Sequence, residues 1–289
     1  SMGTPCGVGR VTQRRRIVHA GPDGIRRRED RLAVEEPLEL RLAGRPLMVT
    51  MRTPGNDIEL AHGFLLTEGV IARADDIVAA RYCDSRDAAG RHTFNVLDIA
   101  LNPRLPDPEE KLRREFLSTS ACGVCGKAAL DTVRTRTRFP PAADPVRVDL
   151  QLLSALPERM RKAQRVFAST GGLHAAALFD VAGQLLVVRE DVGRHNAVDK
   201  ALGATLLAGG VPATATVLMV SGRASFELAQ KAVMAGVPVV AAVSAPSSLA
   251  VELAAEAGVT LVGFLRGKSM NVYTATERVV PTRGSTGAP

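Results

Sequence analysis

A chain of 289 residues, 46% of them hydrophobic, can bury a sizeable core and, at roughly 150 residues per domain, suggests two domains. It has no run of about 18 apolar residues, which argues against a helical membrane span, and with aromatics at 3% and no Trp it has little from which to build a stacking platform for single-stranded nucleic acid. The net charge of +7 is uneven: Arg14, Arg15 and Arg16 lie close to Arg26, Arg27 and Arg28, a cluster that attracts anions or simply makes a solvated arm.

Residues 1–29 read as a basic, Gly-containing arm, expected to be mobile. It has no signal-peptide apolar region, and Ser1-Met2 resembles a cloning remnant, so the four cysteines are expected as reduced cytosolic thiols. A small α+β domain is expected over residues 30–115. LELRL (38–42) and LMVTM (47–51) flank AGRP as a hairpin, Asp57 opens a helix through IELAHGFLLTEGVI, and RHTFNVLDIAL (91–101) reads as a strand. NPRLPDPEE (102–110) is a Pro-rich break, and residues 116–145 read as a Cys-containing mobile loop and linker.

Residues 146–285 read as an α/β domain. DLQLLSALPERMRKAQRVF (149–167) has helical spacing, with Pro157 awkward in its interior. LHAAALFD and QLLVVRED flank VAG as a hairpin. Helices AVDKALGATLL, FELAQKAVMAG and SLAVELAAEAG then alternate with the apolar strands TVLMVSG, VPVVAAVS and VTLVGFL. The order α-β-β-α-β-α-β-α-β, with strands apolar throughout, predicts a sheet covered on both faces.

Ligands of open α/β sheets collect at the C-terminal ends of the parallel strands. Here those ends read EDVGRHNAVDK (190–200), SGRAS (221–225), SAPSS (244–248) and GFLRGKSMNVY (263–273). Ser221 and Asn196 offer hydrogen bonds and Gly222 allows close backbone approach. Arg194, Arg223, Arg266 and Lys268 add positive charge, and His174 and His195 lie nearby. Together they predict an anionic, nucleotide-like ligand; the alternative is that they cap helices and pair with Glu190, Asp191 and Asp199.

STSACGVCGK (118–127) carries Cys122 and Cys125 between glycines. A structural zinc lacks partners at a recognisable spacing; a thioredoxin-type motif, though without a convincing preceding strand, leaves a thiol-disulfide oxidoreductase as an alternative, and a cofactor-binding chaperone without sulfur chemistry is another. An incidental thiol pair and a flexible loop bearing a reactive thiolate, favoured by Lys127 and the start of a helix, stay open. The element order also suits cytidine deaminases, whose zinc site needs H-x-E and P-C-x-x-C. Ala121 stands where Pro is required, and no His is followed two places on by Glu, so deaminase chemistry is not expected.

Taken together, SACGVCGK, TGGLHAAALF, REDVGRHNAVDK, VSGRASFELAQKA and GFLRGKSMNVYT resemble the formate dehydrogenase accessory sulfurtransferases of the FdhD family, from about residue 30 to 280. The resemblance implies a cytidine-deaminase-like C-terminal α/β/α domain beside a smaller α+β N-terminal domain, in a cytoplasmic homodimer. It implies a carrier that takes sulfur from a cysteine desulfurase and passes it to the molybdenum cofactor, a bis(molybdopterin guanine dinucleotide), before insertion into the formate dehydrogenase catalytic subunit. Cys122 matches the family's persulfide-bearing cysteine, with Cys125 as its companion. Phe264, Leu265, Arg266, Gly267, Lys268 and Ser269 match its cofactor-binding stretch. No structural metal, membrane or nucleic acid is expected.

Overall fold

The computed structural model describes residues 10–84, 90, 92–106 and 137–281. In chain order, β1 (Thr12–Gly21), β2 (Gly24–Ala33), β3 (Glu36–Leu42) and β4 (Arg45–Arg52) lead into α1 (Asp57–Thr67), followed by β5 (Ile77–Tyr82) and β6 (Val96–Leu101). Then come β7 (Val148–Asp149), α2 (Leu150–Ala163), α3 (Arg165–Thr170), β8 (His174–Asp180) and β9 (Leu185–Asp191). The rest alternates: α4 (Arg194–Leu207), β10 (Thr216–Val220), α5 (Phe226–Met234), β11 (Val239–Ala242), α6 (Ser248–Glu256), β12 (Thr260–Arg266), β13 (Ser269–Val272) and β14 (Val279–Val280).

The result is a mixed α/β protein with several sheets. The largest has six strands in the order β13-β12-β11-β10-β8-β9. β10, β11 and β12 are mutually parallel; β8 is antiparallel to β10, and β9 to β8. The strands β9, β10, β11 and β12 therefore all end on one edge, and β8 begins there. The side-chain alternation of β8 divides the core. Ala176 and Leu178 pack with α1, α4, α5 and α6, while Ala175, Ala177 and Phe179 pack with Leu153, Leu156 and Met160 of α2. Asp149 caps α2 by accepting from the Gln151 and Leu152 amides, and the helix continues past Pro157 with Leu153, Leu156 and Met160 buried.

A second sheet, β4-β3-β6-β5, packs Leu38, Leu40, Leu97 and Ile99 into the same core as α1 and α4. The N-terminal unit thus shares its apolar interior with the C-terminal one. The helices α1 and α4 touch backbone to backbone: a Cβ on Gly63 would fall on the Asp199 carbonyl, and one on Gly203 on the Glu59 carbonyl. At the rim of this contact Arg189 grips Glu59 through two hydrogen bonds, of 2.5 and 2.7 Å.

The arm expected to be mobile is paired over its described length. β1 and β2 form an antiparallel ribbon closed by Pro22 and Asp23, with Gly24 at φ +104°. Its apolar content is too low to give a strand pattern, so only the turn residues announced it. Four short strands, β5, β7, β13 and β14, were also not expected from the sequence. No helix among the described residues is long and apolar enough to cross a membrane.

Candidate functional site

The edge where β9 to β12 end gathers most of the residues singled out from the sequence. His174 opens β8, half-buried, and no side chain stands between its ring and Gly222. Burial, reinforced by the Arg194 charge, holds its imidazole below the ordinary histidine value. Ser221 ties the strand ends together: its Oγ accepts the Ala175 amide at 2.9 Å, and its own amide donates to the Ala175 carbonyl. The next two loops are laced together as well, because the Ala224 amide donates to Ala245 O and the Ser247 amide to Ala224 O. Arg223 stands exposed between them.

Arg194 and His195 begin α4. Arg194 Nε and His195 Nε2 are buried atoms with no hydrogen-bond partner. The His195 Nε2 lies 3.8 Å from Glu227 Oε2, close enough for charge attraction and too far for a hydrogen bond. The imidazole beside it draws the Glu227 carboxyl below the ordinary carboxylate range.

Asn196 is a correction. Its side chain turns inward, donating to Met51 O at 2.8 Å and Asp191 Oδ1 at 3.2 Å while accepting from Thr50 Oγ1 at 3.1 Å. Asp191 is wholly buried and accepts from the amides of Thr53 and Gly193, and its Oδ2 lies 2.7 Å from Lys200 Nζ, which also donates to Thr53 O. In this stretch the capping-and-pairing alternative holds for Asp191, Asn196 and Lys200. They moor the loop to the end of β4 and leave Arg194 and His195 to face the edge.

The stretch 264–269 spans the end of β12, the turn at Gly267 and Lys268, and the first residue of β13. A register shift between Gly263 and Arg266 puts Phe264 at φ +52°, 41% exposed, with its amide donating to Ser244 O. That shift turns Leu265 into the core at 0% exposure, which corrects its assignment as a ligand contact. Arg266, Gly267, Lys268 and Ser269 are exposed, and Arg266 Nε donates to Val243 O at 3.2 Å. Beside this edge a cleft of about 720 Å³ is lined by His174, Ser221, Val243, Arg161, Gln164 and Phe167. The Arg161 guanidinium lies over the Phe167 ring at 4.2 Å. The α2 and α3 side of this cleft was not expected from the sequence. Cys122 and Cys125 lie outside the described residues.

A model of the FdhD/NarQ family matches residues 33–280. The chain belongs to the FdhD/NarQ family. It is 60% identical over 271 residues to the sulfur carrier protein FdhD of Nocardia farcinica, covering 94% of this chain and 96% of that one. To the sulfur carrier protein FdhD of Mycobacterium tuberculosis it is 56% identical over 275 residues, covering 94% and 100%. Among solved structures, a formate dehydrogenase accessory protein from Desulfotalea psychrophila matches with a TM-score of 0.71 at 25% identity, over 94% of this chain and all of that one. All five motifs that carried the resemblance fall within the FdhD/NarQ match, whereas β1 and all of β2 but its last residue precede it.

A pH dependence follows from one buried and one half-buried histidine of this fold. Burial lowers both His174 and His62, whose Nδ1–H donates to Ile58 O at 2.7 Å. Unfolding therefore takes up protons below pH about 6.5. Their contribution is fully present above that pH and is lost as pH falls toward the folded values. NMR titration of the two rings should give midpoints below 6.5, and His174→Gln should flatten the acid-side decline in urea midpoints. Midpoints at or above 6.5 would contradict this.

Proposed function

We propose that this FdhD/NarQ protein is a sulfur carrier in the maturation of formate dehydrogenase, with Cys122 bearing the sulfur as a persulfide. In this reading the Cys122 thiolate attacks the terminal sulfur of a persulfide on a cysteine desulfurase. The donor's S–S bond breaks, the desulfurase cysteine leaves as thiolate, and Cys122–S–S⁻ forms. The terminal sulfur then passes to the molybdenum of the bis(molybdopterin guanine dinucleotide), which supplies two electrons, while Cys122 keeps the bonding pair and returns as thiolate. The loaded cofactor goes on to the dehydrogenase catalytic subunit. The reading includes a cytidine-deaminase-like layering for residues 146–285, a homodimer, a cytoplasmic setting and no structural zinc. Cys125 assists or resolves.

The observation that carries the reading is that, in a member of this family, Arg194, Arg223, Arg266 and Lys268 are strung along one polar edge of the main sheet. A cofactor with two guanine dinucleotides carries several phosphate charges, and arginines and backbone amides at strand ends suit it. The unpartnered Arg194 Nε and His195 Nε2 lie at the same edge, at the start of α4.

The test is incubation with cysteine desulfurase and cysteine, then mass spectrometry of the digested protein. A gain of about 32 Da, one sulfur atom, is expected on the peptide holding Cys122. Tight guanine-nucleotide binding without that gain would mean a cofactor chaperone, and catalytic reduction of model disulfides would mean an oxidoreductase.

A further inference from the structure

The β1–β2 ribbon takes no part in the sheet-edge site. Its cross-strand pairs put Arg14 with Arg31, Arg16 with Glu29 and Val18 with Arg27 on one face; Arg15 with Asp30, Ile17 with Arg28 and His19 with Arg26 occupy the other. All seven arginines of the two strands are exposed. Against Asp23, Glu29 and Asp30 they leave a net +4 on residues 12–33, more than half of the chain's +7. Among the described residues the only ion pair within the ribbon is Arg14 with Glu29, at 3.8 Å. Near the turn, Val18 is 61% and Ile25 78% exposed, on the same face.

The base of the ribbon adjoins the candidate site. The Val34 amide donates to Val11 O, and α3 packs on β2. Ala33 stands beside Gly172, which lines the cleft with His174 and Ser221. A partner seated on the ribbon would stand next to that edge.

We infer that the ribbon is the docking surface for an acidic face of the protein that delivers sulfur to this carrier. The inference rests on the sulfur-carrier reading. Exposed arginines interleaved with apolar side chains are the composition of a protein interface. A phosphate backbone or an anionic lipid surface carries one sign of charge and would leave Asp23 at the turn and Glu29 and Asp30 among the arginines unmatched, whereas a protein face of mixed sign can match them. The remainder of the chain is itself net positive, at +3, so a second copy is a poor complement. The phosphates of the cofactor have their cations on the sheet edge, which leaves the ribbon for the donor. A donor must also depart after transfer, and an exposed, charged contact speeds encounter without slow release.

The test uses the full chain and the variant Arg26→Gln/Arg27→Gln/Arg28→Gln. Initial loading of the Cys122 peptide is followed against desulfurase concentration with cysteine as substrate, and in parallel with inorganic polysulfide as donor. The half-saturating desulfurase concentration should rise about tenfold in the variant at an unchanged maximal rate, while polysulfide loading stays the same. Raising salt from roughly 50 mM to 0.5 M should weaken the wild type and hardly move the variant. Equal desulfurase dependence in the two proteins overturns the inference and leaves the sulfur reading standing. Loss of polysulfide loading in the variant also overturns it, since the ribbon would then act on the site. Displacement of desulfurase by a short DNA duplex or by phosphatidylglycerol vesicles, ahead of polyglutamate, would assign the ribbon to phosphate instead. A wild type that loads from neither donor brings down the sulfur-carrier reading, and this inference with it.

Discussion

Replacing Lys231 by Met is expected to lower the unfolding free energy by about 3–5 kcal/mol. Lys231 Nζ reaches Asp199 Oδ1 at 2.8 Å, Oδ2 at 2.9 Å and Thr67 Oγ1 at 3.1 Å, and the single Thr67 hydroxyl proton has Asp199 Oδ1 and Phe64 O as alternative acceptors, each at 3.1 Å. Asp199 is buried, so its carboxylate depends on that ammonium; burial already pushes its pKa up, with Lys231 opposing. Without Lys231 the buried group must take a proton in the folded state. A carboxyl whose folded pKa is raised is least costly below its unfolded value, and its penalty grows as pH rises toward the folded pKa. The variant should therefore lose more stability at pH 8 than at pH 5, measured by urea unfolding. Lys231→Met/Asp199→Leu should recover most of the loss, because an apolar pair of similar volume removes the stranded charge. A single variant within 1 kcal/mol of the wild type at pH 8, or a double variant no better than the single, would defeat this account.

The same pair bears on the site. Asp199 lies on α4, which begins at Arg194 and His195; Lys231 lies on α5, which begins next to Ser225 and carries Glu227; Thr67 ends α1. One buried ion pair thus fixes how two helix starts meet at the sheet edge. His195 Nε2 and Glu227 Oε2, on those two helix starts, lie 3.8 Å apart. Loosening the pair should separate the two before the fold is lost.

The parts of this arrangement that could be read from the sequence are those with local causes. The alternation from α4 to β12 was legible because each strand is apolar throughout and each helix is closed by a small residue or glycine. The common edge was legible too, since the direction of parallel strands fixes where their loops gather. Long-range pairing was not. Nothing local in Asn196 shows that Met51 and Thr50 will satisfy it, and nothing in Leu265 shows that a register shift one residue earlier will turn it inward. The ribbon failed for another reason. Strand propensity reads poorly through Arg, Glu and Asp, and a paired ribbon with both faces wet has no apolar alternation to reveal it. Pro22-Asp23-Gly24 was its only local sign.

Cys122→Ala should abolish the gain of about 32 Da while guanine-nucleotide affinity stays within about twofold of the wild type. The two readouts separate because they draw on different chemistry. A persulfide needs a sulfur nucleophile, and an alanine methyl group can neither attack a sulfane sulfur nor hold one. In the proposed reading, nucleotide binding would draw on the cations of the sheet edge, which belong to α4, the loop after β10, the end of β12 and the turn that follows it. The complementary variant, Arg266→Ala/Lys268→Ala, should reverse the pattern. Nucleotide affinity should fall about tenfold or more for the loss of two charged phosphate contacts, with loading from polysulfide retained. The replaced side chains are exposed, and the sheet should survive their loss. Isothermal titration with GDP and the mass assay on the same preparations measure both. Undiminished sulfur on the Cys122→Ala protein would move the carrier role to another thiol. Equal loss of both functions in either variant would mean that the two sites are one.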